Sequence, residues 1–196
     1  VSTSVECYFA LKLAGHSPDS EPLQKAREFI LSKGGIPQVR VFTKIWLALF
    51  GQWDWKGTPN MPPEMIYLPT WAPFNIYEFA SWARATVVPM LIILTRQPYC
   101  PVPEAANIDE LYPGGRAGTD YNLPKPKTKL GWAKALYWSD KMVGLYQRLP
   151  FHPFRGRAER KILKWVLEHQ EADGSWAGIQ PPWVYAILAL RALGYP

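Results

Sequence analysis

The stretch from Lys164 to Trp183 constrains this chain more than any other part of it. It reads Lys164-Trp165-Val166-Leu167-Glu168-His169-Gln170-Glu171-Ala172-Asp173-Gly174-Ser175-Trp176, then Ala177-Gly178-Ile179-Gln180-Pro181-Pro182-Trp183. An aromatic and aliphatic helix end runs into Gln-x-x-x-Gly-x-Trp, and a second helix starts near the paired prolines. Asp173-Gly174 is turn chemistry, because glycine takes positive φ without steric cost. Gln170 can bond backbone groups left open at a helix end. The Trp176 indole is a flat apolar cover for the turn.

The same phrasing recurs. Cys7-Tyr8-Phe9-Ala10-Leu11-Lys12-Leu13-Ala14-Gly15 parallels Ala186-Ile187-Leu188-Ala189-Leu190-Arg191-Ala192-Leu193-Gly194, and Phe42 to Gly51 reads as a third copy. Each is an apolar helix with glycine where a C-cap belongs. Lys25 to Leu31 echoes Lys161 to Leu167 as an amphipathic partner. Amphipathic helices alternating with nearly all-apolar ones predict a two-layer helical array of outer and inner helices. The pattern predicts helices over 3–14, 21–33, 39–51, 75–96, 130–149, 155–171 and 182–193, with Ser20 as the N-cap of the second. No strand pattern persists, so the fold class is all-α.

Between these helices the chain is rich in proline. Pro59, Pro62, Pro63, Pro69 and Pro73 leave residues 52–74 without regular structure. Residues 98–129 hold six more prolines and predict a surface excursion or lid. Val1 falls inside a helical unit and Pro196 just after one, so the chain reads as a slice of a longer protein.

Composition narrows the function. The 196 residues are 48% hydrophobic, with ten Trp and ten Tyr, which suits either an aromatic core or an apolar cavity. A net charge of +6 favours an anionic neighbour. Two cysteines, Cys7 and Cys100, make no disulfide framework and point to a reducing compartment. The apolar run Val87 to Leu94 is too short to span a bilayer. Nucleotide-loop, dinucleotide and His-Glu-x-x-His motifs are missing, and His16, His152 and His169 lack ligand spacing. Neither a metal nor a cofactor is expected.

What remains is polar residues set into apolar helices. Glu6, Arg40 and Arg84 are each readable as half of a structural ion pair or as part of a polar patch at one end of a cavity. Phe42, Phe79 and Trp82 are readable as core, or as π-faces that stabilise a cation. The segment from Leu130 to Leu149 carries Lys134, Lys141 and Arg148 at seven-residue spacing beside Trp138, Met142 and Leu145. It fits an outer helix, or an in-plane membrane anchor.

Four stretches carry a resemblance. They are Gly34-Gly35-Ile36 through Arg40-Val41-Phe42-Thr43, Met61-Pro62-Pro63-Glu64, Tyr77-Glu78-Phe79-Ala80-Ser81-Trp82-Ala83-Arg84-Ala85-Thr86-Val87-Val88, and Gly174-Ser175-Trp176 to Trp183. Together they resemble the squalene–hopene cyclases of bacteria, and the turn at Gln170 resembles the Gln-Trp repeat of triterpene cyclases. The resemblance implies part of an (α/α) barrel of paired helices, with residues 1–196 a fragment of the N-terminal-half barrel domain. It implies an intramolecular transferase or isomerase that cyclises squalene to hopene or hopanol through a carbocation cascade. Trp82 and Phe42, with Ile179 and Pro181, would line the cyclisation cavity. Phe79 and Val87 would form the channel neck. Glu6, Arg40 and Gln180 would hold the water that ends the cascade.

The initiating Asp-x-Asp-Asp acid of that family has no match here, since Asp19, Asp54, Asp109, Asp120, Asp140 and Asp173 stand alone. The resemblance places that acid in the other barrel, so the segment alone should be inert. Implied partners are squalene, a membrane lipid surface entered from the cytoplasmic side as a monotopic protein, and optionally a second copy in a homodimer. Nucleic acid is not expected. Two alternatives stay open: a sister cyclase acting on another polyprenoid, and a non-catalytic helical-repeat scaffold that binds RNA or protein through Lys125-Pro126-Lys127-Thr128-Lys129.

Overall fold

A computed structural model describes residues 1–73, 75–122 and 131–195. The helices are α1 (Ser2–Leu13), α2 (Glu21–Ser32), α3 (Val41–Leu49), α4 (Ser81–Arg96), α5 (Trp132–Gln147), α6 (Arg155–Glu168) and α7 (Gln180–Ala192). Short 3-10 turns lie between them, and the described residues contain no strand. Each predicted helix is present, with ends shifted by a few residues. The largest change is at 75–96, where a 3-10 turn Ile76–Glu78 stands apart from α4. Ser20 occupies the N-cap position of α2 without capping it; its hydroxyl donates to the Ser17 carbonyl instead. The parallel helix ends hold, with Gly15, Gly51 and Gly194 all at positive φ.

The chain divides into two compact units. The first, residues 1–59 and 99–124, packs α1 on α2 around Val5, Tyr8, Leu23 and Ile30. Residues 106–112 were expected to travel over the surface, yet Ile108, Leu111 and Tyr112 are buried in this core. Three apolar side chains spaced along a proline-rich segment gain more by burial than the loop gains from hydration. Backbone groups in such a segment need side-chain partners. Gln52 supplies them: its Oε1 accepts from Ile108 N at 3.0 Å and its Nε2 donates to Asn107 Oδ1 at 2.9 Å. Gly35, at φ 71°, passes so close to the Leu111 carbonyl that a Cβ would collide with it.

Glu110 fastens the same segment to α1. Its Oε1 accepts from Lys12 Nζ at 2.7 Å and from Tyr8 OH at 2.8 Å. Lys12 also donates to the Asn107 carbonyl. Burial acts to raise the Glu110 carboxyl, but the bonds from Lys12 and Tyr8 outweigh it and hold the group below the usual carboxylate range. Burial first, and then Glu110, pushes the Tyr8 phenol up.

The second unit, residues 60–98 and 125–196, is built on α4. Val88, Leu91, Ile92 and Ile93 are fully buried, and α4 packs on α6, on α7 and on the 3-10 turn Pro63–Tyr67. Arg96 makes a two-point bond to Glu159 on α6, 2.9 and 2.6 Å long. The turn from α6 to α7 follows the sequence expectation with one exchange of roles. Gln170 Nε2 donates to the Gly174 carbonyl, inside the turn rather than at the helix end. The buried Trp176 indole takes the helix end itself, donating to the Val166 carbonyl at 2.7 Å. Val166 is one of the last four carbonyls of α6, which have no partner within a helix. The indole reaches it because Trp176 folds back under the turn.

A glutamate with a depressed pKa stabilises the fold above the ordinary carboxylate range and loses that contribution as pH falls through its lowered value. Glu110→Gln is therefore expected to cost about 1–3 kcal/mol at neutral pH. The gap from wild type should close as pH falls below about 4. Urea midpoints of both proteins across that range measure it, and a pH-independent gap would rule out the ionic contribution.

Candidate functional site

Each unit presents its own part of the candidate site. In the first unit, Ser2 and Glu6 are four residues apart and share one side of α1. Glu6 Oε1 accepts from the Thr43 hydroxyl at 2.7 Å, and the Ser2 hydroxyl accepts from Arg40 N at 3.0 Å. These two bonds lay the start of α3 against α1 and bring Glu6 and Arg40 into one neighbourhood. Arg40 is the N-cap of α3, so its backbone carbonyl is committed to Lys44 N at 3.1 Å while its side chain is exposed. Phe42, two residues on, is half exposed. Thr43 and Ser2 were not singled out from the sequence; hydroxyls in helices are common and nothing local marks these two.

In the second unit the candidates are Phe79, Trp82, Val87, Ile179, Gln180 and Pro181. Trp82 is 57% exposed although Ala85, Val88 and Leu91 along the same helix are buried. The helix predicted over 75–96 would include Phe79 together with Trp82 and Val87, and the structure corrects this. Phe79 precedes Ala80, the N-cap, and so lies outside α4, while Trp82 and Val87 are five residues apart, about 140° around the helix. Phe79 is placed by Arg84 instead. The Arg84 guanidinium donates to the carbonyls of Ile76 at 3.1 Å, Tyr77 at 3.4 Å and Phe79 at 3.1 Å, and lies over the Tyr77 ring. The ion pair considered for Arg84 is replaced by this carbonyl clamp.

Ile179 is the extended N-cap of α7, and Gln180 and Pro181 form its exposed first turn, where proline loses no helical bond. Gln180 thus stands in the second unit, and Glu6 and Arg40 in the first. Among the described residues, no group of three His, Cys, Asp or Glu side chains could hold a metal ion. Residues 125–129, the lysine-rich stretch of the scaffold reading, lie outside the described residues.

Helix α5 differs from the rest: none of its residues is buried. Polar bonds hold it. Asp140 accepts from Asn60 N at 2.7 Å and Asn60 Nδ2 at 3.1 Å. Tyr146 donates to Glu64 Oε1 at 3.0 Å, and Arg155 Nε reaches the same oxygen at 3.3 Å. Burial, and then Glu64, raises the Tyr146 phenol. Glu64 belongs to the Met61–Glu64 stretch that the sequence singled out without a role; the role is to carry α5. Trp138, Met142 and Leu145 fall within about 60° of one another around α5 and are 57%, 71% and 66% exposed. No described helix is long and apolar enough to cross a membrane.

The whole chain, residues 1–196, matches the family model described as the squalene-hopene cyclase N-terminal domain. It is 49% identical to the squalene–hopene cyclase of Alicyclobacillus acidocaldarius over 193 residues, covering 98% of this chain and 30% of that protein. It is 38% identical to the dammaradiene synthase of Dryopteris crassirhizoma over 196 residues, all of this chain and 28% of that protein. With the squalene–hopene cyclase of Zymomonas mobilis it shares 33% identity over 198 residues, all of this chain and 29% of the relative. The chain thus spans about 30% of the length of these curated relatives.

A lysine at position 84 presents three donors at one nitrogen rather than a planar fork, and cannot reproduce bonds spread over Nε and Nη2. Arg84→Lys should cost about 1–3 kcal/mol and loosen residues 76–80. Thermal melting together with hydrogen exchange reads this, and unchanged protection across 76–80 would show that the clamp is dispensable.

Proposed function

Since the chain belongs to the squalene–hopene cyclase N-terminal domain family, we propose that the intact protein cyclises squalene to a pentacyclic hopene or hopanol. In that reading these residues form cavity wall, channel neck and membrane contact. One observation carries it: Trp82, Phe42 and Phe79 are large aromatics in an apolar helical array, yet 57%, 49% and 37% exposed. Aromatic faces left open by an apolar array are what a hydrocarbon cation needs. A polyene cascade moves positive charge along carbon, so its wall must offer π-density and withhold nucleophiles. Trp82 and Phe42 supply the π-faces, with Ile179 and Pro181 as inert wall, and Phe79 and Val87 form the neck. The acid that starts the cascade comes from residues beyond this segment.

Termination needs a polar end. Glu6, with one oxygen engaged by Thr43 at 2.7 Å, would act with Arg40 and Gln180 to hold a water beside the last cation. Loss of a carbon-bound proton to that water gives the alkene. Addition of the water, with loss of its own proton, gives the alcohol.

Squalene has about thirty carbons, and at about 0.8 kcal/mol per buried CH₂ its passage through water costs on the order of 20 kcal/mol. Direct transfer from a bilayer avoids this. The Trp138, Met142 and Leu145 stripe, with Lys134 and Lys141 on the same helix, suits α5 to lie in the cytoplasmic interface of a membrane as a monotopic anchor. Replacing all three by serine should reduce flotation of the intact protein with anionic vesicles about tenfold or more, at unchanged melting temperature. Undiminished flotation would remove α5 from the membrane contact.

Trp82→Leu keeps bulk and removes the π-face. Losing a cation–π contribution of about 2 kcal/mol should slow the intact enzyme about thirtyfold on squalene in detergent micelles, or release incompletely cyclised products. A well-folded variant with unchanged rate and products would make Trp82 a packing residue. The 38% identity to a dammaradiene synthase supports a second reading, a sister cyclase with another product or polyprenoid, and a wild-type enzyme inert on squalene would favour it.

A further inference from the structure

Trp71 and Trp132 are 85% and 74% exposed, more than any other large apolar side chain among the described residues. Both line one open cleft of about 630 Å³ in the second unit, with Pro73 and Glu78. That volume is in the range of small-molecule sites, about 300–1,000 Å³.

The exposure of Trp71 is built in. Fully buried Asn75 donates to the Thr70 carbonyl at 3.1 Å and the Ala72 carbonyl at 2.8 Å, and accepts from Tyr77 N at 2.9 Å. One side chain therefore fixes the backbone on both sides of the cleft, from Trp71 to the turn that ends at Glu78. Trp132, the first residue of α5, closes the third side.

Several aromatic faces elsewhere carry one of the chain's own cations. Lys44 lies 4.7 Å over Trp53, Lys161 4.7 Å over Tyr67, and Arg84 5.5 Å over Tyr77. Among the described residues, no Lys or Arg lies over Trp71 or Trp132, and Glu78 has no ion pair. Two open indoles and an unpaired carboxylate face one cleft.

We propose that this cleft binds an alkylated ammonium group, quaternary or N-methylated, held against the indoles with its charge towards Glu78. The chemistry selects the class. A single carboxylate is too few oxygens for Ca²⁺, and a site without further carbonyl or water ligands does not suit Mg²⁺. A bare ammonium is compact and strongly hydrated, and gains little from leaving water for an indole face. N-alkyl groups spread the charge and give the indoles and Pro73 apolar surface to cover, the arrangement of aromatic cages for quaternary ammonium ligands. The source is either a lipid headgroup or a soluble amine. None of its four lining residues is among the cyclisation residues proposed above, and its test reads binding rather than turnover.

The test uses the intact protein in a non-ionic detergent, with tetramethylammonium as probe and calorimetry or saturation-transfer NMR as readout. Wild type should bind. Trp71→Ala and Trp132→Ala should each weaken binding about tenfold. Glu78→Gln should weaken it about threefold and remove most of its salt sensitivity. Ammonium chloride at equal ionic strength should not compete. If an alanine variant fails to fold, Trp71→Leu and Trp132→Leu keep the bulk without the π-face and give the same reading. A second arm compares vesicles with and without phosphatidylcholine at fixed anionic content. Loss of the phosphatidylcholine-dependent part of binding in the tryptophan variants assigns the site to a lipid headgroup, and unchanged vesicle binding with lost tetramethylammonium binding assigns it to a soluble amine. Absence of binding in wild type, variants that bind as wild type, or equal competition by ammonium would each overturn the proposal.

Discussion

A helix that is apolar all the way round has to be enclosed, and α4 from Val88 to Leu94 is such a helix. Its neighbours in the second unit answer to it. The α6 helix offers it a narrow apolar side and α7 a broader one, and the 3-10 turn at Pro63–Tyr67 adjoins it as well. The Arg96–Glu159 pair joins the end of α4 to α6 with two parallel bonds, a geometry that fixes orientation as well as attraction. The Trp176 indole then finishes α6 by taking Val166's carbonyl, so the helix can stop and reverse. Pro89 sits inside α4 without ending it.

Irregular chain poses the opposite problem. Proline-rich segments bury apolar side chains but cannot satisfy their own backbone, so buried polar side chains have to do it. Gln52 and Lys12 do this for residues 106–112, and Asn75 and Arg84 do it for residues 70–79. Bonds of this kind also place functional candidates. Phe79 stands where Arg84 holds its carbonyl, and Glu6 is engaged by Thr43 at the junction of α1 and α3.

The aromatic loading of the chain serves two ends. Trp53 and Tyr112 are buried, their planes 8° from parallel, and Lys44 lies over Trp53 with its own pKa lowered by burial. Trp82, Phe42, Trp71 and Trp132 are turned outward from their units. A core accounts for the first group. The second group supplies the faces on which the proposed hydrocarbon cation and the proposed ammonium would rest.

The helices, their glycine ends and the turn at Gly174 were legible in the sequence because they depend on local periodicity and on φ angles that few residues accept. The family was legible for a similar reason: Ser81-Trp82-Ala83-Arg84-Ala85-Thr86 and Gly178-Ile179-Gln180-Pro181-Pro182-Trp183 are contiguous strings. Long-range pairing was not. Glu6 with Thr43, Glu110 with Lys12, Asn60 with Asp140 and Glu64 with Tyr146 join residues between 37 and 98 positions apart, and no spacing rule relates them. The helix predicted over 75–96 also failed at Phe79, because a carbonyl clamp, not the helix, sets its position. Local strings therefore determined which helices form and which family they belong to. Tertiary structure alone decided that a proline-rich connection becomes core, that α5 buries none of its residues and is tied down by polar bonds, and which aromatics are left to face outward. Burial and hydrogen-bond satisfaction are settled between distant parts of the chain, and only folding brings those parts together.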